Sequence, residues 1–324
     1  MGRHLQTALL AAALALAAAA GHGAERGYVA PRTPSGAPDL QGVWTNTTLT
    51  PFERTPGFSG LAVGPEQAAA FEKSQPDAFH SAEIDDVGGR QSEWWEVGAA
   101  LTRIAGEIRS SWITEPGDGR IPYAAGIRQR FTDAMSVFTQ AFDNPEDRPP
   151  SERCLMAGPS AGPPMMAANY NSHYRIVQTA DHVAVQMELN PEPRIIRLKD
   201  TRRLPPQIRP WMGDSVGRWE GETLVVETTN LNPAESIKGP YNVYIGAEAR
   251  VTERFTRIAT DQILYQFSVV DPAAYSAPWR GETILRPANG PTYEFACHEG
   301  NYSLSGILEG ARQAEAAAPR QAAR

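Results

Sequence analysis

From His173 onward, short runs rich in β-branched and aromatic residues alternate with brief turn sequences, and this spacing limits the fold more than any other feature. HYRIVQT and HVAVQMEL are separated by two residues, and GETILRP and TYEFACHE by four. Such close spacing predicts antiparallel hairpins. Eight or nine strands in meander order are expected to curl and close, which hides the sheet edges. We therefore predict a mainly β fold, with an antiparallel meander that forms a barrel or a strongly curled sheet.

The rest of the chain divides around this sheet. Residues 25–150 are predicted to form an extended lead-in and a helical or irregular segment that packs on the barrel. In them, GPEQAAAFEKSQ has the start pattern of a helix followed by good helix formers, and residues 94–141 are compatible with both helix and strand. The barrel domain is assigned to residues 151–302. Residues 303–324 are assigned to a C-terminal helix and tail, because SLSGILEGARQAEAAA is typical of a helix.

Residues 1–24 have the pattern of a secretory signal peptide. A basic start is followed by an Ala- and Leu-rich run and then by small residues. The alternative is a membrane anchor, but the run is short for a membrane span and small residues follow it directly. We therefore predict a periplasmic or secreted protein. No later segment has the length of a spanning helix, so no stable membrane insertion is expected.

Two cysteines, Cys154 and Cys297, remain in the exported chain. In an oxidising compartment such a pair indicates one disulfide, the alternative being two free thiols. A nucleophilic Cys297 would need a nearby base, and His298 is adjacent in sequence. Neighbours in a strand point to opposite faces, which argues against that couple.

The charge balance argues against two classes of partner. The chain has 30 basic and 37 acidic residues, a formal net charge of −7, and no basic run. Such a chain is poorly suited to nucleic acid or to an anionic membrane surface. A small-molecule substrate or ligand fits better, preferably a neutral or cationic one. The sequence carries no signal for the oligomeric state.

No strong cofactor motif occurs in the sequence. A phosphate loop, a dinucleotide fingerprint, HExxH and CxxC are all missing, so no organic cofactor is predicted. GPSAG places Ser160 in a literal Gly-x-Ser-x-Gly match, but a nucleophile elbow lies between a strand and a helix. This run lies instead in a proline-rich connection that continues into PPMM.

Several long blocks resemble a large family of exported bacterial proteins of unknown function. These blocks are PDLQGVWTNTTLTPFER, ERCL, GPPMM, WMGDSVGRWEGETLVVETTN, ERFTRI and YEFACHEGNYSLSGILEGAR, and they span most of the mature chain. The resemblance implies a mostly β fold, lipocalin-like or a related barrel with a few flanking helices. It implies no activity and no catalytic residues.

Alternation along two predicted strands suggests an acid–base site. In the strand predicted over HVAVQMEL, Glu188 lies on the more polar face. In the strand predicted over TYEFACHE, Glu294 and His298 lie together on one face. If the apolar faces pack on the flanking helices, the polar faces line a cavity in which these three groups meet. A glutamate beside a histidine in such a cavity is a workable acid–base pair. The alternative is that these polar faces are the solvated outside of the sheet.

The predicted disulfide would draw further residues towards His298. Arg153 precedes Cys154, so it is expected to lie close to the Cys297 segment and to hold a carboxylate or stabilise an oxyanion. Its alternative role is an ion pair with a nearby acid such as Glu152. Glu299 and Asn301 follow His298 where the predicted strand ends, and they are assigned to substrate binding because ligands bind at barrel mouths.

Trp211, Asp214 and Arg218 form a second group of substrate-binding candidates in WMGDSVGRWEG. Trp211 and Trp219 have rings suited to stacking on a sugar or an aromatic compound, in a chain that also contains Trp94 and Trp95. The alternative is structural, with Trp219 in the core and Asp214 capping a turn.

Histidines of the β-rich half are also weighed as metal ligands. His173, His182 and His298, with Glu188 or Glu299 as a fourth ligand, have the right chemistry for zinc. Their spacing is unlike that of any compact zinc motif, so no metal is predicted.

Two functional hypotheses follow from these residues. The first is an exported, cofactor-independent enzyme that applies acid–base chemistry to a small organic molecule, in a lyase, isomerase or hydrolase step. His298, Glu188, Arg153 and Glu294 would be its catalytic residues. The second is a lipocalin-like periplasmic protein that binds a small molecule. Clustered buried titratable groups would favour the first, and an apolar cavity would favour the second.

Overall fold

A computed structural model describes most of the chain after its first 26 residues. The described residues are 27–75, 98–156, 162–168, 172–190, 192–233, 237–238, 243–290 and 292–317. The predicted signal peptide, the neighbouring Trp94 and Trp95, and Ser160 lie outside them.

Fifteen β-strands and three α-helices occur in the described residues. The strands are β1 (Gly42–Thr45), β2 (Ala62–Val63), β3 (Arg103–Ile104), β4 (Glu107–Arg109), β5 (Ile113–Glu115), β6 (His173–Gln178), β7 (His182–Met187), β8 (Arg194–Arg197), β9 (Asp214–Glu220), β10 (Thr223–Thr229), β11 (Ile237–Lys238), β12 (Val243–Tyr244), β13 (Arg250–Ala259), β14 (Gln262–Val270) and β15 (Trp279–Pro287). The helices are α1 (Pro65–Ser74), α2 (Ile127–Gln140) and α3 (Ser303–Ala317). The helices predicted near residue 65 and in the C-terminal region are therefore present.

Nine of these strands form a closed barrel. Their order around the ring is β1-β6-β7-β8-β9-β10-β13-β14-β15, and β1 also pairs with β15, which closes the ring. The predicted closed β fold with a few helices is thus confirmed. The lead-in contributes β1 to the ring. Strand β5, also from the lead-in, pairs with the same edge of β15 as β1 does, but at the opposite end of β15.

One neighbouring pair in the barrel departs from the predicted antiparallel meander. Strands β8 and β9 run parallel, with Ile196 opposite Ser215, while the other pairs of the ring are antiparallel. Parallel neighbours need a crossover of a dozen or more residues that returns the chain to the same end of the sheet. Residues 198–213 provide that crossover and are rich in proline and arginine.

The alternation of apolar and polar residues sets which side of each strand faces inward. In β7, Val183, Val185 and Met187 are buried in the main core, whereas His182 is exposed. The apolar faces therefore line the barrel interior, and the polar faces lie outside. The hypothesis that the polar faces line an internal cavity is wrong for this strand.

The strand predicted over TYEFACHE does not form. Residues 292–302 are an irregular segment with a turn before α3. A further strand would need a free edge next to β15, and both edges are occupied, one by β14 and the other by β1 and β5. The chain instead continues beside β1, with the Ala288 amide donating to the Val43 carbonyl at 3.0 Å, and then crosses the outer face of the barrel, where the Tyr293 amide donates to Glu188.

Cys154 and Cys297 form the predicted disulfide, with their Cα atoms 5.6 Å apart. The bond joins the segment before β6 to the segment after β15, across 143 residues. Among the helices of the described residues, none has the length and apolar character that a membrane span requires.

Loss of this disulfide should destabilise the fold markedly, because the bond restricts a long loop of the unfolded chain. We expect the Cys154→Ala/Cys297→Ala variant to lose about 2–5 kcal/mol of the free energy of unfolding, measured by urea denaturation. Reduced wild-type protein is the matched control and should unfold at the same urea concentration. Two alkylatable thiols in the native oxidised protein would contradict the assignment.

Candidate functional site

The disulfide brings together part of the predicted site. The Asn301 side-chain amide donates to the Glu152 carbonyl at 3.1 Å and lies 3.3 Å from Cys154 Sγ. Asn301 therefore helps to hold the two linked segments together. Arg153 lies in the same neighbourhood, as predicted, with its guanidinium 3.7 Å from the exposed carboxylate of Glu146.

The acidic and imidazole groups beside the disulfide do not form a buried site. Glu294, His298 and Glu299 are all exposed, because their segment is a surface loop and turn rather than a strand. Glu188 is buried and has other partners, so the predicted pairing of Glu188 with His298 is wrong.

The three candidates of the WMGDSVGRWEG block are also dispersed. Trp211 is half-buried against the main core. Asp214 is buried and accepts hydrogen bonds from Arg197 at 2.6 Å and from the Leu204 amide at 3.0 Å, so it anchors the β8–β9 crossover. Arg218 is exposed and pairs with Glu220 at 2.6 Å. The structural alternative describes Asp214 better than substrate binding does.

Glu188 forms a buried pair with His173. The two residues lie opposite each other on β6 and at the end of β7, where the Glu188 amide donates to the His173 carbonyl at 2.9 Å. Glu188 Oε2 is 3.3 Å from His173 Nδ1, and the two side chains are 1% and 8% exposed. The atoms are in ion-pair range but outside the geometry of a linear hydrogen bond.

A loop covers this pair on the outer face of the barrel. We call it the covering loop, and it comprises residues 288–290 and 292–302. Its Tyr293 amide donates to Glu188 Oε1 at 2.7 Å, and a Cβ on Gly290 would lie 4.0 Å from His173 Cε1. The loop therefore shields an outward-facing carboxylate and imidazole from solvent and fixes one carboxylate oxygen.

A second buried polar cluster lies inside the barrel. Arg194 and Ile196 face inward from β8, and the guanidinium of Arg194 binds both carboxylate oxygens of Glu253 on β13. The same guanidinium donates to Ser215 at 3.0 Å and to Thr228 at 2.9 Å. Burial alone would lower the pKa of Arg194, but the charge of Glu253 and its hydrogen bonds raise it overall.

Tyr265 connects this cluster to a segment that lies against the inward-facing side chains. The Tyr265 hydroxyl donates to Glu253 at 2.8 Å and accepts from the Met165 amide at 2.8 Å. The Asn46 amide donates to the Met165 carbonyl at 3.2 Å, and both Met165 and Met166 are fully buried. Residues 162–168 are thus held within the core by polar groups of the barrel wall, and we call them the inserted segment.

The interior cluster has the character of a structural network. Each polar atom of the Arg194 and Glu253 side chains has a hydrogen-bonding partner. A satisfied network of this kind rigidifies its surroundings. Its groups are committed to one another and to the inserted segment, whereas the His173–Glu188 pair lies close to the surface.

The described residues hold no group of three His, Cys, Asp or Glu side chains that could bind a metal ion. His173 is buried beside Glu188, while His182 and His298 are exposed. The three histidines weighed as metal ligands are therefore in different environments.

Sequence reasoning missed both buried clusters as units. The partnership of His173 with Glu188 follows from the β6–β7 register, in which Tyr174 lies opposite Met187. Glu253 lies two residues from Val251 and from Phe255, two core residues on the same face of β13, and that spacing was a signal for an inward-facing charge.

The fold and the site define a disulfide-bonded, nine-stranded β-barrel protein with a buried histidine–glutamate pair on its outer face. Comparison with protein-family models, curated proteins and solved structures gave no match.

Removing one member of the interior ion pair should destabilise the barrel more than removing both. Arg194→Met leaves the Glu253 charge buried without its main partner, which is expected to cost about 3–5 kcal/mol of the free energy of unfolding. Arg194→Met/Glu253→Leu removes both charges and should cost clearly less. Urea denaturation of both single variants and the double variant measures the coupling, and additive effects would contradict a paired network.

Two buried phenols and one half-buried phenol should make the fold sensitive to alkaline pH. Burial and the charge of Glu53 raise the pKa of Tyr123 to about 12. Burial is the largest cause that raises the pKa of Tyr265, and the charge of Glu253 is the second. Burial is also the largest cause that raises the pKa of Tyr275, and its interaction with Tyr123 is the second. The unfolded chain, with phenol pKa values of about 10, then releases protons before the folded chain does. Their contribution to the free energy of unfolding is therefore present below about pH 10 and is lost as the pH rises through the folded pKa values.

Absorbance at 295 nm tests this prediction, because it reports phenolate formation. Native protein at pH 11 should show fewer ionised tyrosines than protein unfolded in guanidinium, and the urea midpoint should fall between pH 9 and 11. Equal phenolate absorbance in the two states would contradict the raised pKa values.

Proposed function

We propose that this chain is an exported enzyme that performs acid–base chemistry on a small organic molecule without an organic cofactor. His173 and Glu188 would be its proton-transfer pair. The observation that carries the proposal is the buried contact between Glu188 Oε2 and His173 Nδ1 at 3.3 Å.

The arrangement suits proton transfer for two reasons. A carboxylate beside Nδ1 selects one tautomer and stabilises the imidazolium, so that Nε2 is the nitrogen that exchanges the proton. The Tyr293 amide binds the other carboxylate oxygen and so limits rotation of Glu188. Catalytic hydrogen bonds are often long before a substrate binds and shorten in the complex, which accommodates the present separation.

The reaction types consistent with this pair are those that need only proton movements. A lyase or an isomerase can use the imidazole to remove a proton from carbon, and a hydrolase can use it to activate water. Glu188 is one of the two catalytic carboxylates expected from the sequence, and in this proposal His173 replaces His298 as its partner.

The disulfide supports export. Structural disulfides form and persist mainly in oxidising compartments, which agrees with the signal peptide predicted for residues 1–24. A periplasmic or secreted location therefore belongs to the proposal.

A second proposal is a lipocalin-like protein that binds a small molecule. The closed barrel and the half-buried Trp211 and Trp219 at the margin of its core favour it. The inserted segment opposes it, because Met165 and Met166 fill core space that a ligand would otherwise use.

Proton exchange in heavy water tests the proposal across many compounds at once, so the substrate need not be identified first. The protein is incubated in D₂O with a panel of small hydroxy acids, keto acids, sugars and aromatic esters, and proton NMR follows loss of carbon-bound protons and product formation. We expect catalysis on at least one class of compound. His173→Gln and Glu188→Gln should each slow it by about 10²- to 10⁴-fold.

The matched control is His182→Gln, which changes an exposed histidine on β7 and should retain the wild-type rate. Thermal midpoints of all variants identify any loss that reflects unfolding. Activity lost in His298→Gln but retained in His173→Gln would restore the residue expected from the sequence. Tight ligand binding without catalysis across the panel would favour the binding protein.

A further inference from the structure

Four residues lie side by side across four neighbouring strands or strand ends on the outer face of the barrel. Arg286 on β15 lies opposite Thr45 on β1, and Thr45 lies opposite His173 on β6. Glu188 follows β7 and lies opposite His173. Directly opposed residues of adjacent strands point to the same face, so the four side chains form one row.

Burial changes along this row. Thr45, His173 and Glu188 are buried although they face away from the barrel interior, whereas Arg286 is exposed. Only the Arg286 end of the row is open to solvent, and the covering loop shields the His173 end. A molecule that reaches His173 along the row would pass Arg286 and displace the covering loop.

Arg286 differs in its partners from Arg280, the other arginine of β15. Its guanidinium donates to the Thr47 carbonyl, and within the described part of the chain no carboxylate lies in ion-pair range of it. Arg280, on the same face of β15, pairs with Glu115 at 3.2 Å. A guanidinium has five N–H donors, so one carbonyl contact leaves Arg286 able to bind an anion from solution.

The distance between Arg286 and His173 would allow both residues to contact one small molecule. Adjacent strands are about 4.8 Å apart, so Arg286 and His173 are separated by about 10 Å of sheet. The arginine side chain can cover a large part of that distance. A molecule of a few carbon atoms with an anionic group at one end would span the remainder.

We propose that Arg286 binds the carboxylate of the substrate and that the substrate is a small organic acid. This inference rests on the proposed acid–base function of His173 and Glu188. A carboxylate is the group that a guanidinium recognises with two parallel hydrogen bonds, and this contact would orient the adjacent carbon towards the imidazole.

This substrate class differs from the one favoured by overall charge. A net charge of −7 disfavours anions at long range. Salt screens that repulsion beyond about 8 Å at physiological ionic strength, so the contact with Arg286 decides the preference.

Binding measurements with simple acids test the proposal independently of turnover. The probes are lactate, succinate and benzoate, each compared with its neutral amide by isothermal titration calorimetry at low salt. We expect at least one acid to bind wild-type protein and its amide to bind at least about tenfold more weakly. Arg286→Gln should weaken binding of that acid by a similar factor, and Arg286→Lys should restore part of it.

Arg280→Gln is the matched control, since it removes an exposed guanidinium from the same face of the same strand. It should leave acid binding unchanged. Equal binding of acid and amide, equal effects of the two glutamine variants, or no binding of any acid would overturn the proposal.

The two proposals fail in different ways. If only the acid–base function is wrong, the acids bind through Arg286 and no compound of the D₂O panel reacts. If only the substrate class is wrong, neutral compounds react in a manner that depends on His173, and Arg286→Gln reacts like wild type. Thermal midpoints again exclude unfolding as the cause.

Discussion

Two opposite charges buried within the barrel determine how its interior is organised. A guanidinium or a carboxylate alone in this environment would cost several kcal/mol. Arg194 and Glu253 avoid that cost by binding each other across the interior, with hydroxyl groups completing the network. Tyr265 then joins Glu253 to the backbone of Met165. The same ion pair therefore connects strands β8, β13 and β14 to the inserted segment.

Local sequence patterns were sufficient to predict much of the fold. Strand alternation, as in β7, and short turns follow from contacts between near neighbours in the chain, and they indicated a barrel correctly. The disulfide required only the presence of one cysteine pair. The parallel β8–β9 pair and the missing strand after β15 depend on which edges remain free once distant strands have paired. A sequence pattern within one segment carries no information about which strand edges are already paired with distant strands.

Prediction of the site was limited by the same long-range pairing. Glu188 was identified as a titratable group on a polar face, but the partner chosen for it, His298, came from a strand that does not form. Its actual partner, His173, is set by the register of β6 and β7, and its cover is set by the path of the chain after β15. The row that reaches Arg286 requires β1 to lie between β6 and β15, which no local pattern indicates.

The position of β1 also has a consequence for the order of folding. Gly42–Thr45 pairs with β6 and with β15, two strands that lie far along the chain and far from each other. Hairpins such as β13–β14 need only short loops, whereas closing the ring brings together segments near the two ends of the chain and has a larger entropic cost. We expect the ring to close last, because closure requires the chain through residue 287. Until then the edges of β6 and β15 are available to other chains, so the period before closure is when this protein is most exposed to aggregation.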